Sequence, residues 1–309
     1  MEKFHIRPME HGDRWEVAEL ICDSSNAWYQ KYRGFRLFAT GPRAADVFCD
    51  IYDELDPGMG IVAVSEMSGR LCGSCFIHPR RTHISLGIMN AHPNYFGNGV
   101  ARALLAYITD FADSQKKPVR LVSSLMNLES FSLYSCAGFV PHTIYQDMTI
   151  SVPEGGLNVK TEGNFHIRTA TMEDLPQIVK LDRDLTGIDR AQDFQYILKN
   201  RGGFWGCSIC VNPDGTMGGV MASIGHPGSN MIGPGSTCSP TIAAALIHAE
   251  MNRYPGRSPV VLIPSAHREL VDIMLSWNMK NCEIHVNQCL GEWTAPRGIL
   301  IPTFMPESA

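Results

Sequence analysis

The chain has 309 residues, which against a typical domain of about 150 predicts two domains. Hydrophobic residues make up 44% and charged residues 18%, the balance of an ordinary globular protein. Lys and Arg number 26 against 31 Asp and Glu, and the resulting charge of −5 argues against a nucleic-acid-binding surface. No apolar run approaches the roughly 20 residues that cross a bilayer. The opening MEKFHIRPMEHGD carries both signs of charge and no apolar signal core. A cytoplasmic protein without membrane partners is expected.

In chain order, the pattern predicts a strand at about 4–8 and helices from Arg14 to about Tyr32 and near 43–54. A hairpin follows, with strands Gly60–Ser65 and Leu71–His78 about a Ser68-Gly69 turn. A further strand runs from His83 to Asn90 into a Gly-rich turn at 94–99. Val100 to about Asp113 reads as a helix with Ala103, Leu104, Tyr107, Ile108 and Phe111 on its apolar face. Val119–Ser123 is a short buried strand, Asn127–Ala137 a helix closed by Gly138, and 139–150 a last hairpin.

Phe4-His5-Ile6-Arg7 recurs as Phe165-His166-Ile167-Arg168, each followed by a polar stretch and a helix. In the first helix Trp15, Ala18, Leu20 and Ile21 carry the apolar positions. In the second, Leu175, Ile178, Val179 and Leu181 do so. This self-similarity points to a tandem duplication. Val152 to Asn164 reads as a linker, so the expected domains are 1–152 and 165–309 about a linker at 153–164. Antiparallel strands followed by strand–helix–strand indicate an α+β class with a central parallel pair in each mostly antiparallel sheet.

Ten cysteines include two C-x-x-C pairs, Cys72/Cys75 and Cys207/Cys210. Both pairs lie in strand-like text, where i and i+3 point to opposite faces, so no metal site is expected.

The stretch Ile88-Met89-Asn90-Ala91-His92-Pro93-Asn94-Tyr95-Phe96-Gly97-Asn98-Gly99-Val100-Ala101-Arg102 is a strand, a turn with two glycines and a helix start. The first N–H groups of a helix are unpaired and sit at the positive end of its dipole, so they suit a phosphate. It lacks the G-K-[ST] of a Walker loop, and the Arg at 102 breaks a G-x-G-x-x-G fingerprint.

Downstream stands Asn127-Leu128-Glu129-Ser130-Phe131-Ser132-Leu133-Tyr134-Ser135-Cys136-Ala137-Gly138-Phe139. With the turn at Phe96-Gly97-Asn98-Gly99-Val100-Ala101, the sequence resembles the GNAT superfamily of N-acetyltransferases over most of residues 4–150. That family has a [QR]-x-x-G-x-[GA] turn and an L-Y-x-x-x-G-F ending. Phe96 departs from the first position of the turn, and Leu133–Phe139 fits the second motif in full. The resemblance implies two GNAT-like domains, acetyl-coenzyme A as cofactor, and an amine of a small molecule or peptide as acceptor.

It further implies that the turn residues Phe96, Gly97, Asn98, Gly99, Val100 and Ala101 cradle the pyrophosphate through backbone N–H groups, with Arg102 adding charge. Met89, Asn90 and Ala91 would pair with the pantetheine amides like an added strand, and Asn127 would bond that arm. Tyr134 would protonate the departing thiolate. The general base is open among Glu66, His83 and Ser85, while His92 before Pro93 reads as structural. Trp28, Tyr29 and Tyr32 could line an acceptor pocket, though aromatic residues at helical spacing also suit a core.

Aligning Ala101–Ile108 with Ile242–Ala249 puts Pro240 opposite Gly99 and Cys238 opposite Gly97, and Met274 falls opposite Tyr134. Pro has no N–H for a phosphate and Met no proton to give, so the second half reads as a degenerate GNAT-like domain. Its polar run with Asp182, Asp184 and Asp189 is either a solvated loop or an acceptor or inter-domain surface. A monomer or homodimer is expected. The alternatives are a non-catalytic coenzyme A-binding sensor and a scaffold without cofactor.

Overall fold

The computed structural model describes residues 3–305, which form two compact units. The first comprises 3–79, 84–119 and 304–305, and the second 80–83 and 120–303. The class is α+β, with mixed parallel and antiparallel pairing and helices flanking the strands.

The first unit begins with β1 (Phe4–Pro8), a short 3-10 turn, α1 (Arg14–Arg33) and α2 (Pro42–Leu55). It continues with β2 (Gly60–Ser65), β3 (Leu71–Pro79), β4 (Ile84–Ala91) and α3 (Val100–Ser114). The strands lie in chain order and every pair is antiparallel. Successive strand residues face opposite sides. Gly73 meets Val100 and Leu104 of α3, whereas Asn90, paired with Ser74, reaches Ser24 of α1. Helices therefore cover both faces.

The close approach at Gly73 also fixes the rotation of α3. Its buried face is Val100, Leu104, Leu105, Ile108 and Ala112, not the expected stripe through Ala103, Tyr107 and Phe111. Tyr107 is 39% exposed. Trp15 likewise turns outward from α1, where its indole N–H donates to Glu19 at 2.9 Å, while Ala18, Leu20 and Ile21 are buried.

The second unit holds β5 (Val119–Ser124), α4 (Leu128–Cys136), β6 (Val140–Thr149), β7 (His166–Thr169), α5 (Leu175–Thr186) and α6 (Ala191–Lys199). Next come β8 (Trp205–Val211), β9 (Met217–His226), β10 (Ser229–Thr237), α7 (Pro240–Met251) and β11 (Val260–Pro264). α8 (Arg268–Ser276), β12 (Lys280–Leu290) and β13 (Ile299–Ile301) complete it. The strand order is β5-β12-β6-β11-β10-β9-β8-β7, with β13 also on β10. β10 and β11 are parallel. β10 is bulged at the cis Gly233-Pro234 bond, so its first part pairs with β11 and its second with β13.

Residues 139–150, expected as a hairpin, contain one continuous strand. β6 takes both neighbours from far along the chain: Thr149 pairs with Val260 of β11 and with Lys280 of β12. The compact units accordingly do not divide at 153–164. β6 contributes Met148 to a core built on α7, β10 and β11, with Leu246, Ile247, Ile232, Val261 and Met274.

The order strand, 3-10 turn, two helices, three strands, helix, strand, helix, strand occurs from β1 to β6 and again from β7 to β12. Each series opens on the same ion pair. Arg7 binds Asp13 through two hydrogen bonds of 2.6 and 2.8 Å, and Arg168 binds Asp174 at 2.8 and 2.6 Å. Asp13 and Asp174 each also cap the backbone three residues earlier, at Glu10 and Thr171. The arginine bonds hold both carboxyls below their ordinary value, that of Asp174 at about 2.

Candidate functional site

β4 ends at Ala91, and His92 caps a 3-10 turn over Pro93–Tyr95 by accepting the Asn94 N–H at 3.2 Å. Gly97 and Gly99 then take φ of 79° and 87°, which only glycine adopts freely. A Cβ at either would meet nothing within 4 Å, so the turn borders open space. The first helical bond of α3 runs from the Ala103 N–H to Gly99 at 3.0 Å. The N–H groups of Gly97, Gly99, Val100, Ala101 and Arg102 have no acceptor among the described residues. Asn98 differs from expectation: its N–H is committed to Tyr95 O at 3.1 Å. The turn thus presents an open set of N–H donors of the kind that suits an anion, with the exposed Arg102 beside it and Phe96 presenting a ring that is 54% exposed.

The strand leading into this turn carries a bulge that the sequence reading missed. Cys75 pairs with Met89 and Ile77 with Leu86, leaving Gly87 and Ile88 opposite Phe76 alone. A bulge spreads the local backbone and exposes unpaired amides. Gly87 inside an apolar strand was the available signal; a Cβ there would lie 2.6 Å from His78 Nε2. Beyond the bulge, Asn90 turns its side chain to α1, accepting the Ser24 hydroxyl at 2.5 Å, with its amide nitrogen buried and unpartnered.

Trp28, Tyr29 and Tyr32 form a contiguous aromatic cluster at the end of α1, with centroids 4.9 and 5.4 Å apart, extended by Phe35 at 5.2 Å from Tyr29. They are not core: Tyr32 and Phe35 are 48% and 45% exposed. Glu66 lies in the exposed β2–β3 turn, its N–H donating to Lys3 O at 3.0 Å.

Other expected residues belong to the second unit. Asn127 is the N-cap of α4, its side-chain oxygen accepting the Ser130 N–H at 3.1 Å. Tyr134 is the buried residue of α4 and packs on Phe139 at 5.8 Å. His83 is 1% exposed, with Nδ1 3.0 Å from the Thr82 hydroxyl.

The three carboxylates of the polar run answer to three different cations. Asp182, 1% exposed, accepts Arg190 Nε at 3.0 Å and a second bond from Nη2. Asp184 pairs on the surface with Lys180 at 2.6 Å. Asp189 binds Arg81 at 2.8 Å and caps the Ala191 N–H at 3.0 Å. They do not converge on one acceptor surface.

The counterpart helix of the second series lacks the cradle. Pro240 opens α7, and the Ser239 hydroxyl accepts the Ile242 N–H at 3.3 Å. Its α8 ends as α4 does: the Phe139 N–H reaches Tyr134 O at 3.1 Å and the Met279 N–H reaches Met274 O at 3.2 Å, with Gly138 and Asn278 left-handed between. Met274, buried, therefore occupies the position of Tyr134.

Among the described residues no helix is long and apolar enough to cross a membrane. Residues 23–139 match the acetyltransferase (GNAT) family. No curated protein matches the chain. Among solved structures, a candidate acetyltransferase from Pyrococcus horikoshii is 14% identical, over 99% of this chain and 96% of its own, with a TM-score of 0.74. A tandem GNAT protein from the clavulanic acid biosynthesis pathway is 14% identical, over 94% and 100%, at 0.61. Saccharomyces cerevisiae N-myristoyltransferase with bound myristoyl-CoA is 11% identical, over 96% and 80%, at 0.64. At these identities the likeness is one of fold.

Proposed function

We propose that this chain, whose residues 23–139 match the acetyltransferase (GNAT) family, transfers an acetyl group from acetyl-coenzyme A directly to an amine of a small molecule or peptide. The observation that carries this reading is the open turn at Gly97–Arg102, with five outward N–H groups and space for a ligand at both glycines. A pyrophosphate fits that donor set, and acetyl-coenzyme A supplies the thioester whose acetyl group the amine takes.

The chain's own residues divide the remaining work. The N–H groups of Gly97, Gly99, Val100, Ala101 and Arg102 hold the pyrophosphate, and Asn98 serves the turn rather than the ligand. Met89, Asn90 and Ala91, beyond the bulge, offer backbone groups to the pantetheine arm. Asn127 has its amide nitrogen left for that arm after capping α4. Tyr134 donates the proton that the departing thiolate needs. The amine loses its proton to a base, with Glu66 and His83 the candidates, and the cluster of Trp28, Tyr29 and Tyr32 lines the acceptor side. The second series of elements is a duplicated, degenerate partner, a reading supported by the repeated element order, Pro240 and Met274. The protein works in the cytoplasm as a monomer or homodimer.

The test is an amine-panel assay following free thiol release, run on the full chain and on Tyr134→Phe. Turnover lowered by a factor of about 10²–10⁴ with acetyl-coenzyme A binding kept supports the assignment. Unchanged turnover removes Tyr134 from the chemistry. Binding without turnover on any amine makes the protein a coenzyme A sensor, and no binding heat removes the cofactor altogether.

A further inference from the structure

Arg120 on β5 is 3% exposed, yet its Nε and Nη1 have no hydrogen-bond partner and it makes no ion pair among the described residues. A buried guanidinium without an anion is costly, and buried arginines are otherwise paired. The other deeply buried arginines of this unit follow that rule: Arg80 binds Asp193 and Arg190 binds Asp182. One face of Arg120 is covered by Trp293, with the guanidinium carbon 4.3 Å from the ring centroid. Trp293 in turn stacks on His142, 4.3 Å away and nearly parallel at 6°. Trp293 is half-buried and His142 exposed, so this stack leads from solvent to the buried cation. Stacking on an indole orients a guanidinium and leaves its edge donors free.

We propose that Arg120 anchors the anionic group, a carboxylate or a phosphate, of a small molecule that enters beside the Trp293–His142 stack. A planar fork of donors matches either oxyanion. The ionisable groups that act on Arg120 are Cys289, Tyr145 and Arg190, and Arg190 is already paired with Asp182. Burial pushes the thiol of Cys289 and the phenol of Tyr145 up, so neither supplies the missing anion at neutral pH. The site stands whether or not the chain transfers acetyl groups.

The experiment is thermal unfolding and calorimetry of the full chain with disodium malonate and with sodium phosphate, against sodium chloride at matched ionic strength. At about ten times its Kd, the preferred anion raises the melting temperature by about 2–4 °C. Malonate binding marks a carboxylate ligand and phosphate binding a phosphorylated one. Arg120→Met abolishes the shift, and without anion it melts at or above the native chain because an unpaired charge is gone. Arg120→Lys, which keeps the charge but loses the fork, and Trp293→Leu, which keeps the arginine, each weaken binding several-fold, so the proposal remains open to refutation if Arg120→Met does not fold. No effect beyond chloride with either anion, or equal shifts in the native chain and the Arg120 variants, overturns it.

Discussion

Val100 stands on Gly73: a Cβ at position 73 would come within 2.5 Å of the Val100 Cγ1. The contact seats the first turn of α3 on β3, beside Asn90 O, which would be 3.2 Å away. Gly73→Ala is therefore expected to destabilise by about 1–3 kcal/mol through overpacking, measured by urea unfolding. Because the displaced turn is the one proposed to hold the phosphates, the KM for acetyl-coenzyme A should rise several-fold. Gly73→Ala combined with Val100→Ala should recover part of both losses, and additive effects would disprove the contact.

Gly99 presents a different case, since space around it is open and only its φ of 87° is demanding. Gly99→Ala should lose about 1–2 kcal/mol from left-handed strain alone. Gly99→Asn should lose less, because Asn tolerates that region. Coenzyme A affinity, read by calorimetry, should fall in the same order.

Asp182 and Arg190 are both essentially buried. Asp182→Asn should cost about 3–5 kcal/mol by leaving an unpaired guanidinium, whereas Asp182→Leu with Arg190→Met should cost less than the single change. Asp184→Asn, on the exposed pair with Lys180, should stay within about 0.5 kcal/mol. Denaturant midpoints decide between them.

The paired carboxyls give the acid limb of stability its shape. Asp174 sits at about 2 in the fold against an ordinary value of 3.8, so it is lowered. Its contribution is present above about pH 4 and is lost as pH falls through about 2. Asp174→Asn should remove roughly 1–2 kcal/mol at neutral pH and flatten unfolding free energy over that window. Asp13, lowered by Arg7 in the same way, should show a parallel effect.

Local signals were read well from the chain. Gly97 and Gly99 marked the turn, Gly138 the end of α4, and Phe4–Arg7 with Phe165–Arg168 the two strands that open each series. These depend on backbone preferences within a few residues. The buried face of α3 was misjudged because Gly73, distant in sequence, fixes its rotation. β6 reads as a hairpin in the sequence because its partners lie far along the chain, beginning at 260 and 280. The carboxylates at 182, 184 and 189 read equally as a solvated loop or as an acceptor or inter-domain surface, since sequence spacing does not tell which cation each one meets. Arg120 gave no sign of its missing partner, because the sequence does not show which side chains reach a given residue of a buried strand.

The position of β6 between β11 and β12 also sets a schedule for synthesis. The strand leaves the ribosome at residues 140–149, but its two neighbours are residues 260–264 and 280–290. Until residues 260–264 have been made, both edges of β6 are open, with unpaired amides and the side chains of Tyr145 and Met148 uncovered. The early part of the protein thus cannot finish folding ahead of the late part, and a ribosome that stalls before residue 290 leaves an adhesive strand in place of a finished domain.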